Sequence, residues 1–151
     1  MLPSDKCHQV IKSFEGLSLN AYPDPGTGGE PFTIGYGTTV YKNGDKVKLG
    51  DTISHEQAED ELNFEIDKKS LAVDTLTKSV SLNQNQFDAL TSFAYNCGIG
   101  AFQKSTLLKR VLANPQDADI RNQFMKWNKS GGQEMKGLTR RRTAEAGLYF
   151  S

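Results

Sequence analysis

Glycine and proline are distributed very unevenly along this chain. Residues 16–52 hold eight of the fourteen glycines and three of the five prolines. That density interrupts any helix and demands turns and short strands. On either side, apolar residues recur at helical spacing. A chain divided in this way is limited to an α+β architecture, with the strands confined to one early segment and helices supplying the rest. A length of 151 residues allows one domain or two small lobes sharing a core.

Local signals fill in this plan. Ser4 or Asp5 can cap a first helix whose apolar face is Val10, Ile11 and Phe14, and Gly16 ends it. "FTIGYGTTVY" has strand composition, and "VYKNGDKVKLG" reads as a hairpin with Asn43-Gly44 at its tip. Ser54-His55-Glu56-Gln57 is a capping-box pattern opening a long helix, with Ala58, Leu62, Ile66, Val73 and Leu76 on one stripe. From about residue 82 the pattern is helical throughout, with Asn83 as a cap, glycines 98 and 100 as a stop, Ser105 as a second cap and Asn114-Pro115 as a terminator. The expected organisation is an N-terminal lobe over 1–53, a connecting helix over 54–78 and a helical lobe over 79–151. A cleft between lobes is where ligands prefer to bind.

Net charge is zero, so general attraction to nucleic acid or to an anionic membrane is not indicated. The halves differ, however. Residues 1–75 carry 7 basic and 13 acidic groups, and residues 76–151 carry 11 and 5. Cys7 and Cys97 form no C-x-x-C pair, and His8 and His55 are too scattered for a zinc site. Both cysteines fall in apolar helical surroundings, which favours buried thiols over a disulfide. No run approaches the roughly 18 apolar residues of a membrane span, and "MLPSDKCHQV" lacks a signal-peptide core. Synthesis in the cytoplasm without an export signal is the expectation.

The chemistry is concentrated in "SFEGLSLNAYPDPGTGGEPFTIGYGTT". Glu15 stands where the first helix closes. A carboxylate there meets the negative end of the macrodipole, which disfavours the ionised form by about 0.3–1 kcal/mol. The position is poor for stability and suited to an acid that keeps its proton. Asp24, in a polar Pro/Gly turn nine residues on, is expected to stay ionised. Two carboxyl groups in unlike surroundings are what glycosidic cleavage uses. A separation of about 6.5–9.5 Å admits a water and gives inversion, whereas about 5–5.5 Å gives retention.

"FEGLSLNAYPD" followed by "FTIGYGTT" resembles the catalytic segment of the phage-type lysozymes, the endolysin family of T-even phage lysozyme-like muramidases. The resemblance continues in "LNQNQFDALTSFAYNCGIGAFQKSTLLKRV" and in "FMKWNKSGGQEMKGLTRRRTAEAGLYF", so it covers essentially the whole chain in order. It implies a lysozyme-like α+β fold and hydrolysis of the β-1,4 link between N-acetylmuramic acid and N-acetylglucosamine, without metal or cofactor. It also implies Glu15 as general acid, Asp24 as second carboxylate and Thr33 as the residue that positions water, in an inverting displacement. Thr27 is a minor rival to Thr33, because "PGTGGEP" lengthens the turn by about three residues relative to the T-even type. Thr38 stands where the family often has a mostly structural His, so a lost polar link is expected there.

The resemblance further implies a monomer acting on peptidoglycan, with no nucleic-acid partner and no stable membrane insertion. It would wait in the host cytoplasm for a holin-type pore protein before reaching the periplasm and wall. Alternatives of other kinds are the catalytic domain of a bacteriocin or effector, a lytic transglycosylase, and a non-catalytic wall-binding module.

Further contacts are read residue by residue. The family places an Arg near the acid, and Arg140 is the first choice, with Arg141 second. Arg140, Arg141 and Arg142 cannot all face one site, since three consecutive positions spread widely around a helix. The rival reading of the run is a solvated helix face with partners such as Glu145. The backbone of "GYG" at 35–37, with Tyr36 and Gly37, is expected to lie bare beside the sugar path, although glycines in a twisted hairpin explain the pattern almost as well, and Asn96 and Gly98 can line a saccharide cleft. Phe87, Phe93 and Tyr95 are expected in the core, as is Trp127, whose alternative is a stacking surface.

Overall fold

The computed structural model describes residues 1–151. It resolves into two compact units. One comprises His8–Lys68, and the other Met1–Cys7 with Lys69–Ser151. The mixed architecture expected from the glycine distribution is present, with seven helices and two small antiparallel ribbons.

Helix α1 (Asp5–Phe14) begins at Ser4, whose Oγ accepts the Cys7 N–H at 3.3 Å, so Ser4 and not Asp5 is the cap. Strands β1 (Ser18–Tyr22) and β2 (Thr33–Gly35) pair antiparallel, with Ser18 opposite Gly35 and Tyr22 opposite Thr33. The expected hairpin over 40–50 is reduced to a turn. Asn43-Gly44 sits at its tip and Tyr41 N–H reaches Asp45 O at 2.8 Å, but the ladder shrinks to a single bridge between Val40 and Lys46. Lysines and polar residues fill most of this stretch, and Val47 is its single buried residue, too little of an alternating face to lengthen the pairing.

Helix α2 (His55–Leu76) opens with the expected box. Gln57 N–H donates to Ser54 Oγ at 3.1 Å, and Ser54 N–H donates to Gln57 Oε1 at 2.8 Å. Its stripe of Ala58, Leu62, Ile66 and Val73 is buried. Helix α3 (Gln84–Cys97) carries a second box, between Asn83 and Gln86. Gly98, at φ +96°, stops it, and the chain at once re-enters a helix, α4 (Ile99–Lys104). Gly100 therefore lies inside a helix instead of ending one. Ser105 caps α5 (Thr106–Ala113), accepting Leu108 N–H at 3.0 Å. Helix α6 (Ile120–Met125) is followed by a two-stranded ribbon, β3 (Lys129–Ser130) with β4 (Gln133–Glu134), turning at Gly131-Gly132. Sequence periodicity had suggested only helix here. Helix α7 (Lys136–Tyr149) closes the fold.

The core of the larger unit centres on Phe93. Its ring stands edge-on to Phe102, Phe124 and Trp127, with centroids 6.0, 5.8 and 5.4 Å away. Phe87 is buried beside it, and Trp127 is partly buried against the same cluster, in line with the core reading of both. Tyr95 is only half-buried, with Lys69 Nζ 5.5 Å from its ring centroid. Because Phe93 is fully enclosed, Phe93→Ala should destabilise the protein by about 3–5 kcal/mol. Urea denaturation with an unchanged m-value checks this.

Candidate active site

Glu15 lies one residue beyond α1, half-buried. Its N–H still reaches back into the last turn, to Ile11 O at 3.2 Å and Lys12 O at 3.3 Å. The carboxylate is thus carried by the helix end and not by a mobile loop. Opposite it stands Gly37, at φ +96°. A Cβ there would lie 3.4 Å from Glu15 Oε2. Gly37 is therefore bare backbone laid against the acid, in a conformation that L side chains seldom adopt.

The turn reaches that position because Gly35 is equally constrained. At φ +65°, a Cβ on Gly35 would meet Ala58 Cβ and Ile53 Cδ1 at 3.3 Å. Between the two glycines Tyr36 is 5% exposed. Its ring stands edge-on to His55, with centroids 6.3 Å apart, and Lys12 Nζ lies 5.5 Å from its centroid. Tyr36, expected on the sugar side, has its ring engaged inside its own unit. Thr38 is buried and tied to Ile34 by two main-chain bonds of 2.8 and 2.9 Å. Backbone pairing thus holds the segment at the position where a His was expected.

Asp24 is half-buried at the far end of the β1–β2 ribbon. It follows Tyr22 by two residues, and Tyr22 pairs with Thr33, so the ribbon end carries both Asp24 and Thr33. The 24–30 turn is closed by its own main chain. Asp24 N–H donates to Gly29 O at 2.9 Å, and Asp24 O accepts Gly28 N–H at 2.7 Å. Thr27 is taken up within that turn, with Oγ1 donating to Glu30 O at 2.8 Å and accepting Gly29 N–H at 3.2 Å. That engagement weakens Thr27 as a rival to Thr33.

In the larger unit, the run Arg140–Arg142 is solvated only in part, and the expected partner Glu145 is present. Arg140 is exposed, while Arg141 and Arg142 are 3% and 0% exposed. Both buried guanidinium groups converge on Glu145, which is itself fully enclosed. Arg141 Nε lies 3.3 Å from Oε2 and Arg142 Nε lies 3.0 Å from Oε1. The second contact acts as an ion pair and not as an aligned hydrogen bond. Ser92 Oγ also donates to Glu145 Oε2, at 2.5 Å. Burial pushes the Glu145 carboxyl above its ordinary value, against the opposing pull of Arg142 and Arg141.

Arg142 reaches further, to Asn96 Oδ1 and Cys97 Sγ. Asn96 is exposed with its carbonyl held in this way, so its amide N–H groups are what it offers outward. Gly98 beside it is half-buried and uses its N–H on Ala94 O. Neither cysteine is in a disulfide; Cys7 is buried and Cys97 only partly so. Burial raises the Cys97 thiol above its usual range despite the neighbouring guanidinium groups. The sequence signal for this network was the i, i+3 and i, i+4 spacing of Arg142, Arg141 and Glu145. Its connection to Ser92 and Asn96 had no local signal.

No group of three or more His, Cys, Asp or Glu side chains is placed to hold a metal ion. No helix is long and apolar enough to cross a membrane.

Residues 12–145 match the family model described as phage lysozyme. The endolysin of Bacillus phage PZA is 45% identical over 144 residues, which is 94% of this chain and 52% of that relative. The chain spans about half the length of the Bacillus phage relatives it matches. Among solved structures, an endolysin from Escherichia coli O157:H7 phage FAHEc1 superposes with a TM-score of 0.87 at 41% identity, covering 100% of this chain and 94% of that one. The muramidase domain of SpmX from Asticaccaulis excentricus gives 0.83 at 34% identity, covering 98% and 97%.

Replacing Glu145 by Gln would leave two buried guanidinium groups facing a neutral amide. The expected loss is about 3–5 kcal/mol, measured by chemical denaturation. Cys97 should alkylate with iodoacetamide near neutral pH more slowly than free cysteine, a prediction that peptide mass spectrometry after timed quenching can check.

Proposed function

The chain belongs to the phage lysozyme family, and from that premise we propose that it is an endolysin-type muramidase. Its substrate is bacterial peptidoglycan. The bond cleaved is the β-1,4 link from N-acetylmuramic acid to N-acetylglucosamine. Glu15 is the general acid, Asp24 the second carboxylate and Thr33 the residue that orients water.

The observation that carries this reading is the construction of the His8–Lys68 unit around its carboxyl groups. One is fixed at a helix end against the bare backbone of Gly37. The other shares the end of a ribbon with a threonine hydroxyl. Glu15 gives its proton to the glycosidic oxygen as the C1–O bond breaks, so the leaving sugar departs as a neutral alcohol. Asp24 draws a proton from a water that Thr33 holds, and that water bonds to C1 from the opposite face. The outcome is inversion, with water as the only co-reactant.

Saccharide contacts are assigned to the backbone of Tyr36 and Gly37, and to Asn96, Gly98 and Arg140. Asn96 qualifies because its carbonyl is already engaged and its N–H groups remain to donate. Arg140 qualifies as the exposed member of its run. The chain acts as a monomer. It is made in the host cytoplasm and acts on the wall once a separate holin-type pore opens the membrane.

Glu15→Gln should reduce turbidity clearing of purified cell walls by at least about 100-fold while circular dichroism stays native. Asp24→Asn should be nearly as severe. Mass spectrometry of released muropeptides should show hydrated reducing ends. Clearing by Glu15→Gln within a few-fold of the parent removes Glu15 from the mechanism, and anhydro ends would indicate a transglycosylase.

A further inference from the structure

We infer that Lys12 is a positioning residue for Glu15, acting through a ring of side chains closed by Glu59, His55 and Tyr36. The inference rests on Glu15 being the acid of the proposed function.

All four ring members lie within one compact unit. Lys12, in the last turn of α1, pairs with Glu59 on α2. His55, at the start of α2 and one turn before Glu59, has Nδ1 3.8 Å from Glu59 Oε1. The His55 ring meets Tyr36 edge-on. The Tyr36 ring lies 5.5 Å from Lys12 Nζ, within cation–π range, which closes the circuit. Three chain segments are thereby joined: the end of α1, the start of α2 and the turn after β2.

Two of these segments bracket the acid. Glu15 hangs from α1 through its N–H, which donates to the carbonyl of Lys12 itself. Gly37, adjacent to Tyr36, presents its backbone to Glu15 Oε2. The ring therefore sets the distance between the acid and the wall it leans on. Lys12 and Glu59 are each about 40% exposed, and ion pairs so exposed add little to overall stability. Glu59 holds Lys12 strongly enough to raise the ammonium above its ordinary range, and its own carboxyl is lowered by the same bond. A pair that contributes little to folding yet joins the two elements around an acid is suited to alignment. Small misplacements of a reacting group are costly in rate.

The test is steady-state kinetics on soluble, uncross-linked peptidoglycan strands, with thermal melting of every variant. Lys12→Met should lower kcat about fivefold to twentyfold with KM within twofold, because a misaimed acid affects the transition state more than binding. Lys12→Arg should retain most of kcat. The exchange Lys12→Glu with Glu59→Lys should recover most of what either single change loses. The inference is overturned if Lys12→Met keeps kcat within twofold, if KM moves as far as kcat, or if the exchange is no better than the single changes. Glu15→Gln, run alongside, separates the failures. If it remains active the acid assignment falls, and the positioning role falls with it. If it is inactive while Lys12→Met is normal, only the positioning role is lost.

Discussion

The smaller unit depends on an absence of Cβ atoms. Gly35 must sit against Ala58 and Ile53, where a methyl group would approach to 3.3 Å, and Gly37 must sit against the carboxylate of Glu15. Both residues have positive φ. These two contacts let a three-residue strand turn back sharply and lie between the end of α1 and the start of α2. A side chain at 35 would press on α2, and one at 37 would have to adopt a backbone conformation that L side chains seldom take, with its Cβ against Glu15. The capping box at Ser54 and the bridge from Ile34 to Thr38 serve the same geometry, since each fixes one edge of that turn.

The larger unit solves a different problem. It buries two guanidinium groups and one carboxylate, which is costly unless the charges compensate one another. Glu145 lies within reach of Arg141 and Arg142 along its own helix, and Ser92 supplies a further donor from α3. Arg142 then spends its remaining donors on Asn96 and Cys97 at the end of α3. The ionic cluster thereby fixes how α7 meets α3, and it fixes the orientation of an exposed amide near the Gly98 break. Packing around Phe93 contributes bulk burial, whereas the cluster joins α7 to α3 through charged and polar side chains.

Much of this was legible from residues alone. The caps at Ser54, Asn83 and Ser105 were readable because capping is local chemistry over three residues. The α2 stripe was readable because periodicity reports one buried face. Glu15 and Asp24 stood out through position and motif. Other features depended on distant partners. The ribbon at 129–134 has only two residues per strand, too few for an alternating pattern to register. The expected hairpin at 40–50 had turn chemistry but buries only Val47, not an alternating face. The restart of helix after Gly98 shows that one glycine at positive φ can end a helix without ending helical structure.

The arginine run shows where the division falls. That three consecutive arginines could not share one face was already fixed by chain order, because helical geometry spreads them around the axis. The α+β class was also set locally, as was the placing of one carboxyl group at a helix end and another in a Pro/Gly turn, since glycine density and helix-end position are properties of the chain. That Arg140 stays in solvent while Arg141 and Arg142 go inside, and that the Tyr36 ring is engaged by Lys12 and His55, follows from packing between distant segments. Those outcomes depend on which side chains from remote segments arrive to compensate a buried charge or to cover a ring, and no local pattern encodes that arrival.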